Sequence, residues 1–368
     1  MVKLFVDAHV FDGEYQGTRT FIKGIYTVLA GKPGIALYLA AYDLNNLRLN
    51  FPAQDSVHFV QYRSTSSVAR LGYEIPALIR KYSIDYAHFQ YIVPPVKLCR
   101  FIVTTHDVIF NEYPEEFSLA YRISKNLLYR VSALRADILT TVSDYSKLSI
   151  RKYLGIKSKE IIITPNGVAD RFFEPHDKAL ARARIAGKFK FDKYVLFVSR
   201  IEPRKNHVLL LRAYLDLALH LRGYHLVLIG HETIPVPEFD NLLATVPENV
   251  RQFIYISNRV DDQDLMDIIT AASLFVYPSK AEGFGIPPLE AAALQTPVLC
   301  SNSSAMSDFH FFGENHFDPY DFDGFKKKLQ NAIDIGQDPA CLKRICEIVR
   351  EKYSWEASAE KLYELIIR

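Results

Sequence analysis

The segment PSKAEGFGIPPLEAAALQTPVLCS, residues Pro278–Ser301, decides the fold prediction for this chain. An apolar strand, SLFVYP (Ser273–Pro278), runs into a loop with two glycines, and a helix started by Pro287 and Pro288 follows. The prolines fix φ where a first helical turn needs it, so we expect the helix to begin at them and to leave unpaired backbone N–H groups just after the two glycines. Such a helix terminus binds anions.

Two glutamates flank this predicted helix start. We expect Glu282 in the loop before the helix and Glu290 in the first helical turn. The two carboxylates could therefore hold opposite ends of one elongated ligand whose middle is a phosphate at the helix terminus. The same pattern of strand, loop and helix recurs along the rest of the chain.

The composition is that of an ordinary globular protein. The 368 residues are too many for one core and predict two domains of roughly 150–200 residues. With 49% hydrophobic and 23% charged residues, the chain is neither disordered nor collagen-like. The four cysteines lack metal-ligand spacing, so we expect reduced structural thiols. No signal peptide opens the sequence and no apolar run reaches about 18 residues, which predicts a cytoplasmic location.

Positive charge is concentrated in the first half of the chain. Residues 1–170 contain 20 Lys and Arg against 15 Asp and Glu, a net charge of +5, whereas residues 171–368 contain 24 against 27, a net charge of −3. The basic half could face an anionic surface, or surface charge could simply differ between domains. The amphipathic pattern LAYRISKNLLYRVSALR (Leu119–Arg135) likewise indicates either a solvated face or peripheral contact with the inner face of an anionic membrane. Nothing in the sequence indicates nucleic-acid binding.

Strands alternate with helices through the first half. The apolar runs that predict strands are KLFVDAH, IALYLAAY, VHFV, IDYAHFQYIV, FIVTTHDVI, ADILTTVS and EIIITPNGV. This alternation predicts right-handed βαβ units in a parallel sheet, whose ligands bind beyond the carboxyl ends of the strands. His106 follows one of these strands, and Gly17 lies in a loop that feeds a predicted helix. Both are candidates for ligand contact, against the simpler alternatives of a structural hydrogen bond and an ordinary turn.

The second half repeats this organisation. Strand KYVLFVSR leads into IEPRKNHVLLLRAYLDLALHL, where Asn206 marks the start of a predicted helix and Leu211, Leu215 and Leu219 keep helical spacing. Strands HLVLIG, RQFIYIS, SLFVYP and PVLCS follow with helical patterns between them. The chain therefore predicts two successive doubly wound sheets.

Arg200 and Lys205 lie in SRIEPRKN, across the turn between a predicted strand end and a helix start. Two cations beside helix N–H groups suit a diphosphate, with the arginine as a fork and the lysine as a point charge. A solvated basic turn is the alternative. The diphosphate interpretation is favoured because EGFGIPPLE follows later on the same predicted sheet.

Together these motifs resemble the retaining glycosyltransferases of the GT-B fold, specifically the large family-four group that includes bacterial mannosyl- and glucosyltransferases of surface polysaccharide and lipopolysaccharide assembly. The matching pieces are the Gly17 loop, TTHDVIF with YPEEF, ADILTTVSDYSK, IIITPNGV, SRIEPRKN and PSKAEGFGIPPLEAAALQTPVLCSN. The resemblance implies an α/β protein with two facing Rossmann-like domains, parallel sheets and an interdomain cleft. The implied divisions are an acceptor domain at 1–170, a nucleotide-sugar donor domain at 171–352, and a C-terminal helix at 353–368 that crosses back to the first domain.

The resemblance also implies roles for residues of this sequence. Arg200 and Lys205 would hold the donor diphosphate and neutralise the charge that develops on the leaving group. Glu282 would hydrogen-bond hydroxyls of the donor sugar, Glu290 would take the ribose hydroxyls, and His106 would contact the transferred sugar. No metal and no cofactor is implied, because the nucleotide sugar is itself a substrate.

Further donor contacts follow from the same resemblance. The sugar and phosphate would be lined by the backbone of Phe284, Gly285, Ile286 and Pro287. Gly17 would lie near the diphosphate, and Asn258 and Arg259 would receive the base. Two positions depart from the family pattern, because Gln295 stands where glycine is usual and Asp308 replaces a common glutamate.

The implied reaction is transfer of a hexose with retention of anomeric configuration. The expected hexose is mannose, the expected donor is GDP-mannose, and the acceptor is a glycan or a lipid-linked oligosaccharide. Glu282 is expected at the far hydroxyls of the sugar, so no carboxylate is offered as a covalent nucleophile. This favours same-face substitution, in which the leaving phosphate accepts the acceptor's proton. The alternatives are a UDP-sugar-dependent glycosyltransferase, a nucleotide-sugar epimerase, a sucrose-type synthase and a non-catalytic GT-B protein that binds a sugar nucleotide.

Overall fold

A computed structural model describes residues 1–13 and 17–368 of the chain, which divides into two compact units. Unit 1 contains Met1–Gly167 and Tyr353–Arg368, and unit 2 contains Val168–Lys352. Each unit is organised around one parallel sheet. Within the described ranges, no helix is both long enough and apolar enough to cross a membrane.

The described part of unit 1 has a seven-stranded sheet. Its strands are β1 (Val2–Asp7), β2 (Ile35–Ala41), β3 (Val57–Gln61), β4 (Tyr86–Gln90), β5 (Arg100–Thr104), β6 (Ile138–Thr141) and β7 (Ile162–Ile163). Their order is β3-β2-β1-β4-β5-β6-β7, and every pair is parallel. All seven residues of β2 are buried, as expected for a strand with both faces covered. The strand order reverses direction between β1 and β4, where such sheets bind ligands.

Helices alternate with these strands along the chain, as the sequence predicts. They are α1 (Gly17–Ala30), α2 (Leu44–Asn50), α3 (Ser67–Ala69), α4 (Ile75–Tyr82), α5 (Leu119–Arg135) and α6 (Asp144–Leu154), with a π-helical segment at Arg70–Glu74. Helix α1 buries the side chains that its 3.6-residue period selects, Phe21, Ile22, Ile25 and Leu29. Helices α5 and α6 begin after serine N-caps, whose hydroxyls accept backbone N–H groups of the first turn.

Unit 2 has the same type of sheet with six strands. They are β8 (Tyr194–Val198), β9 (His225–Ile229), β10 (Ile254–Ser257), β11 (Leu274–Tyr277), β12 (Val298–Ser301) and β13 (His316–Phe317). The order is β10-β9-β8-β11-β12-β13, again with every pair parallel. Its helices are α7 (Lys178–Phe189), α8 (His207–Asp216), α9 (Pro237–Ala244), α10 (Glu248–Arg251), α11 (Asp262–Ala271), α12 (Ile286–Ala293), α13 (Phe322–Ile335) and α14 (Pro339–Lys352). The prediction of two doubly wound parallel sheets is confirmed.

Helix α8 is shorter than predicted. Ala218 adopts a left-handed conformation with φ of 46°, which ends the helical hydrogen-bond ladder. Leu219 then lies in a separate 3₁₀ turn, Leu219–Arg222, where its side chain is fully buried. Because Leu219 is still buried in the core, the helical spacing of apolar residues continues past the end of α8. The sequence pattern therefore does not reveal where the helix ends.

The segment after unit 2 returns to unit 1 as helix α15 (Trp355–Ile367), which packs on α1. The Trp355 indole lies directly against Gly24, where a β-carbon would stand 2.1 Å from a ring atom. Gly167 borders the same indole, and a β-carbon there would lie 2.5 Å from the Trp355 backbone nitrogen. Lys32, two residues after the end of α1, forms an ion pair with Glu360 of α15. The Trp355 side chain thus fills a slot that only glycines leave open.

Candidate active site

Two loops at the carboxyl edge of the unit 2 sheet are joined to each other. One loop follows β8 and carries Arg200 and Lys205, and the other follows β11 and carries Glu282. Strands β8 and β11 are neighbours in the sheet. The Lys280 N–H donates to the Arg204 carbonyl at 2.7 Å. Lys205 and Glu282, which are 77 positions apart in the sequence, therefore meet at one edge of the sheet.

Lys205 and Glu282 form a buried ion pair, with 8% and 11% of their side-chain surfaces exposed. The Tyr277 hydroxyl, at the last residue of β11, donates to the same carboxylate oxygen at 2.9 Å. Arg204 Nη1 lies 3.6 Å from the second oxygen. The structure thus joins directly two residues that the family resemblance gives to different parts of the donor, the diphosphate and the sugar.

Glu202 extends this arrangement into a chain of alternating charges. Arg204 Nη2 lies 2.5 Å from Glu202 Oε1, and Arg200 Nη2 lies 3.7 Å from the same atom. Three cations, Arg200, Arg204 and Lys205, thus face two carboxylates, Glu202 and Glu282, which leaves one net positive charge. Arg200 has 46% of its side chain exposed, so it is the cation of this network most accessible to an incoming anion.

The electrostatics of the network keep Glu282 ionised. Burial raises the pKa of Glu282, but the charges of Lys205 and Arg204 outweigh burial and lower that pKa to about 2. Burial lowers the pKa of Lys205 more than the attraction of Glu282 raises it. At neutral pH the Glu282 carboxylate can accept hydrogen bonds from hydroxyl groups, but it has no proton to donate.

Local backbone features fix the two loops. Gly230, directly after β9, has φ of 146°, and a β-carbon there would stand 2.0 Å from the Ser199 carbonyl oxygen. Only glycine lets the loop that carries Arg200 approach this closely. On the other loop, the Glu282 N–H donates to the Ser304 hydroxyl at 2.8 Å. The position of the Glu282 backbone therefore depends on the segment after β12.

Helix α12 begins at Ile286 rather than at the prolines. Gly285 is the N-cap, with φ of 99°, a conformation that favours glycine. Pro287 and Pro288 have no N–H, so two of the four donors that a helix terminus normally presents are absent. Because the helix starts at Ile286, Glu290 lies in its second turn, and the predicted place of Glu290 in the first turn is wrong.

The environment of Glu290 differs from that of Glu282. Its side chain is half-buried, and burial raises its pKa to about 7 while Arg171 lowers it. The two glutamates thus carry pKa shifts of opposite sign within one loop and helix. Glu290 changes its charge near neutral pH, whereas Glu282 stays ionised.

The other predicted donor contacts in unit 2 are spread along the sheet edge. Phe284 is buried and packs edge-on against Phe309, with ring centroids 5.8 Å apart. Asn258 and Arg259 are exposed and follow β10, the edge strand, which β9 separates from β8. Gln295 adopts the left-handed conformation, φ of 54°, that its glycine-replacing position predicts.

The two predicted site residues of the first half belong to unit 1. Gly17 is the first residue of α1, and the residues 14–16 of its predicted loop lie outside the described residues. His106 follows β5, and its Nε2 hydrogen-bonds the Gln90 side-chain oxygen at 2.7 Å. The Phe21 ring packs edge-on against the imidazole, with centroids 5.0 Å apart. Burial lowers the pKa of His106 to about 3, so the ring is neutral at pH 7.

Sequence reasoning missed three members of the unit 2 network. Glu202 and Arg204 stand inside the quoted motif SRIEPRKN, but spacing alone does not show that they bridge Arg200 to Glu282. Tyr277 ends an apolar strand, and its hydroxyl at the carboxyl edge of that strand was the signal available.

Comparison with known proteins identifies both halves of the chain. Residues 28–172 match the family "Glycosyltransferase Family 4", and residues 181–345 match the family "Glycosyl transferases group 1". O-antigen chain mannosyltransferase B of Escherichia coli is 28% identical over 285 residues, which cover 74% of this chain and 72% of that protein.

Solved structures share the whole fold. Sucrose-phosphate synthase from Thermosynechococcus elongatus superposes with a TM-score of 0.77 at 19% identity, covering 99% of this chain and 97% of its own. HepE of Anabaena, solved in complex with UDP and glucose, superposes with a TM-score of 0.75 at 14% identity, covering 100% of this chain and 99% of its own. At these identities the likeness shows the fold alone. With a family 4 domain followed by a group 1 domain, the chain belongs to the GT-B glycosyltransferases.

Proposed function

We propose that the protein is a retaining hexosyltransferase that moves mannose from GDP-mannose to a glycan or lipid-linked oligosaccharide. The observation that carries this proposal is the network of Arg200, Arg204, Lys205, Glu202 and Glu282 at the carboxyl edge of the unit 2 sheet. The likeness to an O-antigen mannosyltransferase supports mannose as the sugar.

The excess positive charge of the network suits a diphosphate. Arg200 is exposed enough to bind it through two parallel N–H groups. An ammonium has three hydrogens, and Lys205 directs one to Glu282 and one toward Tyr277, 3.5 Å away. Its third hydrogen remains for a phosphate oxygen. Both side chains would stabilise the negative charge on the departing nucleoside diphosphate, so the proposal needs no metal ion.

The ionised state of Glu282 suits hydrogen bonds from sugar hydroxyls rather than proton donation. The proposed substitution occurs on one face of the sugar. The bond between the anomeric carbon and the phosphate oxygen breaks, the acceptor oxygen bonds to that carbon, and the acceptor's proton passes to the leaving phosphate. Glu290 would hold the ribose hydroxyls, and the neutral His106 would contact the transferred sugar.

A UDP-linked sugar is the second candidate donor. HepE, which shares the fold over its full length, was solved with UDP and glucose. The base would contact the exposed edge that carries Asn258 and Arg259.

A thermal-shift screen followed by product analysis tests the proposal. Saturation with GDP is expected to raise the melting temperature by several degrees, because a ligand at about 100 times its Kd adds about 2.7 kcal/mol. With GDP-mannose and a glycan acceptor, NMR should show retained anomeric configuration, and EDTA should leave the rate unchanged. Stabilisation by UDP alone would favour the second donor. An inverted product would exclude the mechanism, and epimerisation without acceptor would identify an epimerase.

The raised pKa of Glu290 predicts a pH dependence of donor binding. The affinity for the nucleotide sugar should increase between about pH 6 and pH 8, because Glu290 loses its proton near 7 and only the carboxylate accepts from both ribose hydroxyls. The Glu290→Gln variant should bind more weakly and without this dependence. Calorimetric titration measures both, with the nucleotide sugar used because its diphosphate keeps a constant charge over this range. An equally steep dependence in the variant would contradict the assignment.

A further inference from the structure

Helix α5 exposes its apolar side. Within its 17 residues, large apolar side chains recur at helical spacing and are 41–66% exposed: Leu119, Ile123, Leu127, Val131 and Leu134. We call this set the α5 stripe. Residues three and four positions apart lie on the same helix face, so the α5 stripe is one continuous surface.

The opposite side of α5 is comparatively polar, although it faces the protein. Ser132 is buried and donates to the Leu128 carbonyl at 2.8 Å. Asn126 is half-buried and exchanges side-chain hydrogen bonds of 2.7 and 2.9 Å with Asn111. Lys125 is half-buried over the ring of Tyr129. Tyr129 and Ala133 are also buried on this side, but the large aliphatic groups of the helix lie outside, and polar groups that normally face water on a surface helix are partly used inside.

The charge of the helix selects the kind of surface that can cover the stripe. Helix α5 contains Arg122, Lys125, Arg130 and Arg135 and no Asp or Glu. The neighbouring helix α6 adds the exposed Leu148, Arg151 and Lys152. A second copy of the chain on this face would bring two sets of four cations together, which is repulsive. An anionic surface with an apolar interior matches both properties.

We propose that the α5 stripe inserts into the interface of a membrane that contains anionic lipids, with the cations of α5 and α6 at the headgroups. Apolar side chains of an interfacial helix enter the acyl boundary, and each Lys or Arg near an anionic surface strengthens binding roughly fivefold. This inference does not depend on the identity of the sugar donor. Anionic lipids would attract the net positive charge of the first half of the chain, and binding would bring unit 1 to the membrane that holds a lipid-linked acceptor.

Vesicle sedimentation tests the proposal with the full chain. Binding is expected with vesicles of phosphatidylglycerol and phosphatidylcholine at low salt, and it should weaken at least tenfold with phosphatidylcholine alone or in about 0.5 M salt. The variant Ile123→Ser/Leu127→Ser/Leu134→Ser should weaken binding at least tenfold. Leu49→Ser/Leu221→Ser/Ile335→Ser is the matched control, because those side chains are 80–85% exposed and lie outside α5. It should bind like the native protein.

A fluorescence measurement distinguishes insertion from electrostatic contact. The single native tryptophan, Trp355, is buried and gives a constant background. Leu127→Trp should shift its emission to the blue on anionic vesicles, whereas Leu221→Trp should not. Absence of binding at low salt, equal loss in the control triple variant, or no emission shift at position 127 would overturn the proposal. So would a concentration-dependent dimer in light scattering that the α5 triple variant abolishes, since a second copy would then cover the stripe.

Discussion

Replacing Lys205 with alanine is expected to lower turnover by roughly 10²–10³-fold, because one preorganised charge on the departing diphosphate is lost. The same change should destabilise the fold by roughly 3–5 kcal/mol, because it removes one partner of a buried ion pair and leaves Glu282 with Arg204 at 3.6 Å. Steady-state kinetics and urea unfolding measure the two effects separately. A variant with native turnover would refute the diphosphate assignment.

The stability cost of this change should depend on pH. The pKa of Glu282 is about 2 in the fold against an ordinary value of 4.5, so its ionised form stabilises the fold above about pH 4.5, and this contribution disappears as the pH falls toward 2. The difference between native protein and Lys205→Ala should therefore be largest near neutral pH and shrink in acid.

Two controls separate catalysis from stability at Lys205. The double variant Lys205→Ala/Glu282→Gln removes the unpaired charge and should recover much of the stability but none of the turnover. Lys188→Ala removes a lysine that pairs with Asp264 on the surface, where 55% of the lysine side chain is exposed. It should change neither property appreciably, because exposed ion pairs contribute little. A double variant that stays as unstable as Lys205→Ala would contradict the ion-pair explanation.

Replacing Trp355 with alanine is expected to destabilise unit 1 by roughly 3–5 kcal/mol, because it empties the slot formed by Gly24 and Gly167 and loosens α15 from α1. Circular dichroism during urea unfolding should show an early transition for unit 1, with the transition of unit 2 unchanged. Coincident early unfolding of both units, or native stability, would contradict this expectation.

The converse change fills the slot from the other side. Gly24→Ala should cost roughly 1–3 kcal/mol, because the added carbon would stand 2.1 Å from the Trp355 ring. Emission of the single tryptophan reports this unfolding directly. Gly187→Ala, in helix α7 with no atom within 4 Å of the added carbon, is the matched control and should stabilise slightly. Equal effects at the two positions would show that the packing against Trp355 is not the cause.

The sequence predicts the strands and helices well because burial imposes a clear period on them. The continuous apolar run of β2 and the 3.6-residue period of α1 follow from the surfaces that these elements bury. The ends of the elements depend on local backbone conformation instead. The left-handed Ala218 ends α8 early, and the left-handed Gly285 starts α12 one residue before Pro287, although apolar period and proline position indicate otherwise.

Side-chain partners and orientation are less accessible to sequence reasoning. Spacing places Lys205 and Glu282 in loops at one sheet edge, but the ion pair between them depends on the contact of two loops from neighbouring strands. The amphipathic period of α5 defines an apolar stripe, yet a period does not say which face packs on the protein. In α5 the buried residues are Tyr129, Ser132 and Ala133, whereas the large aliphatic side chains lie outward.

The return of α15 to unit 1 has a consequence for synthesis of the protein. Unit 2 is continuous in the sequence, whereas unit 1 is complete only when residues 353–368 have been made and have left the ribosome. The slot between Gly24 and Gly167 stays empty until Trp355 arrives, and the neighbouring Phe21 loses an aromatic partner meanwhile. The first half of the chain therefore cannot finish folding before the second half has been made. A ribosome that stops within residues 168–352 releases a chain with an open apolar slot for chaperones or proteases to recognise.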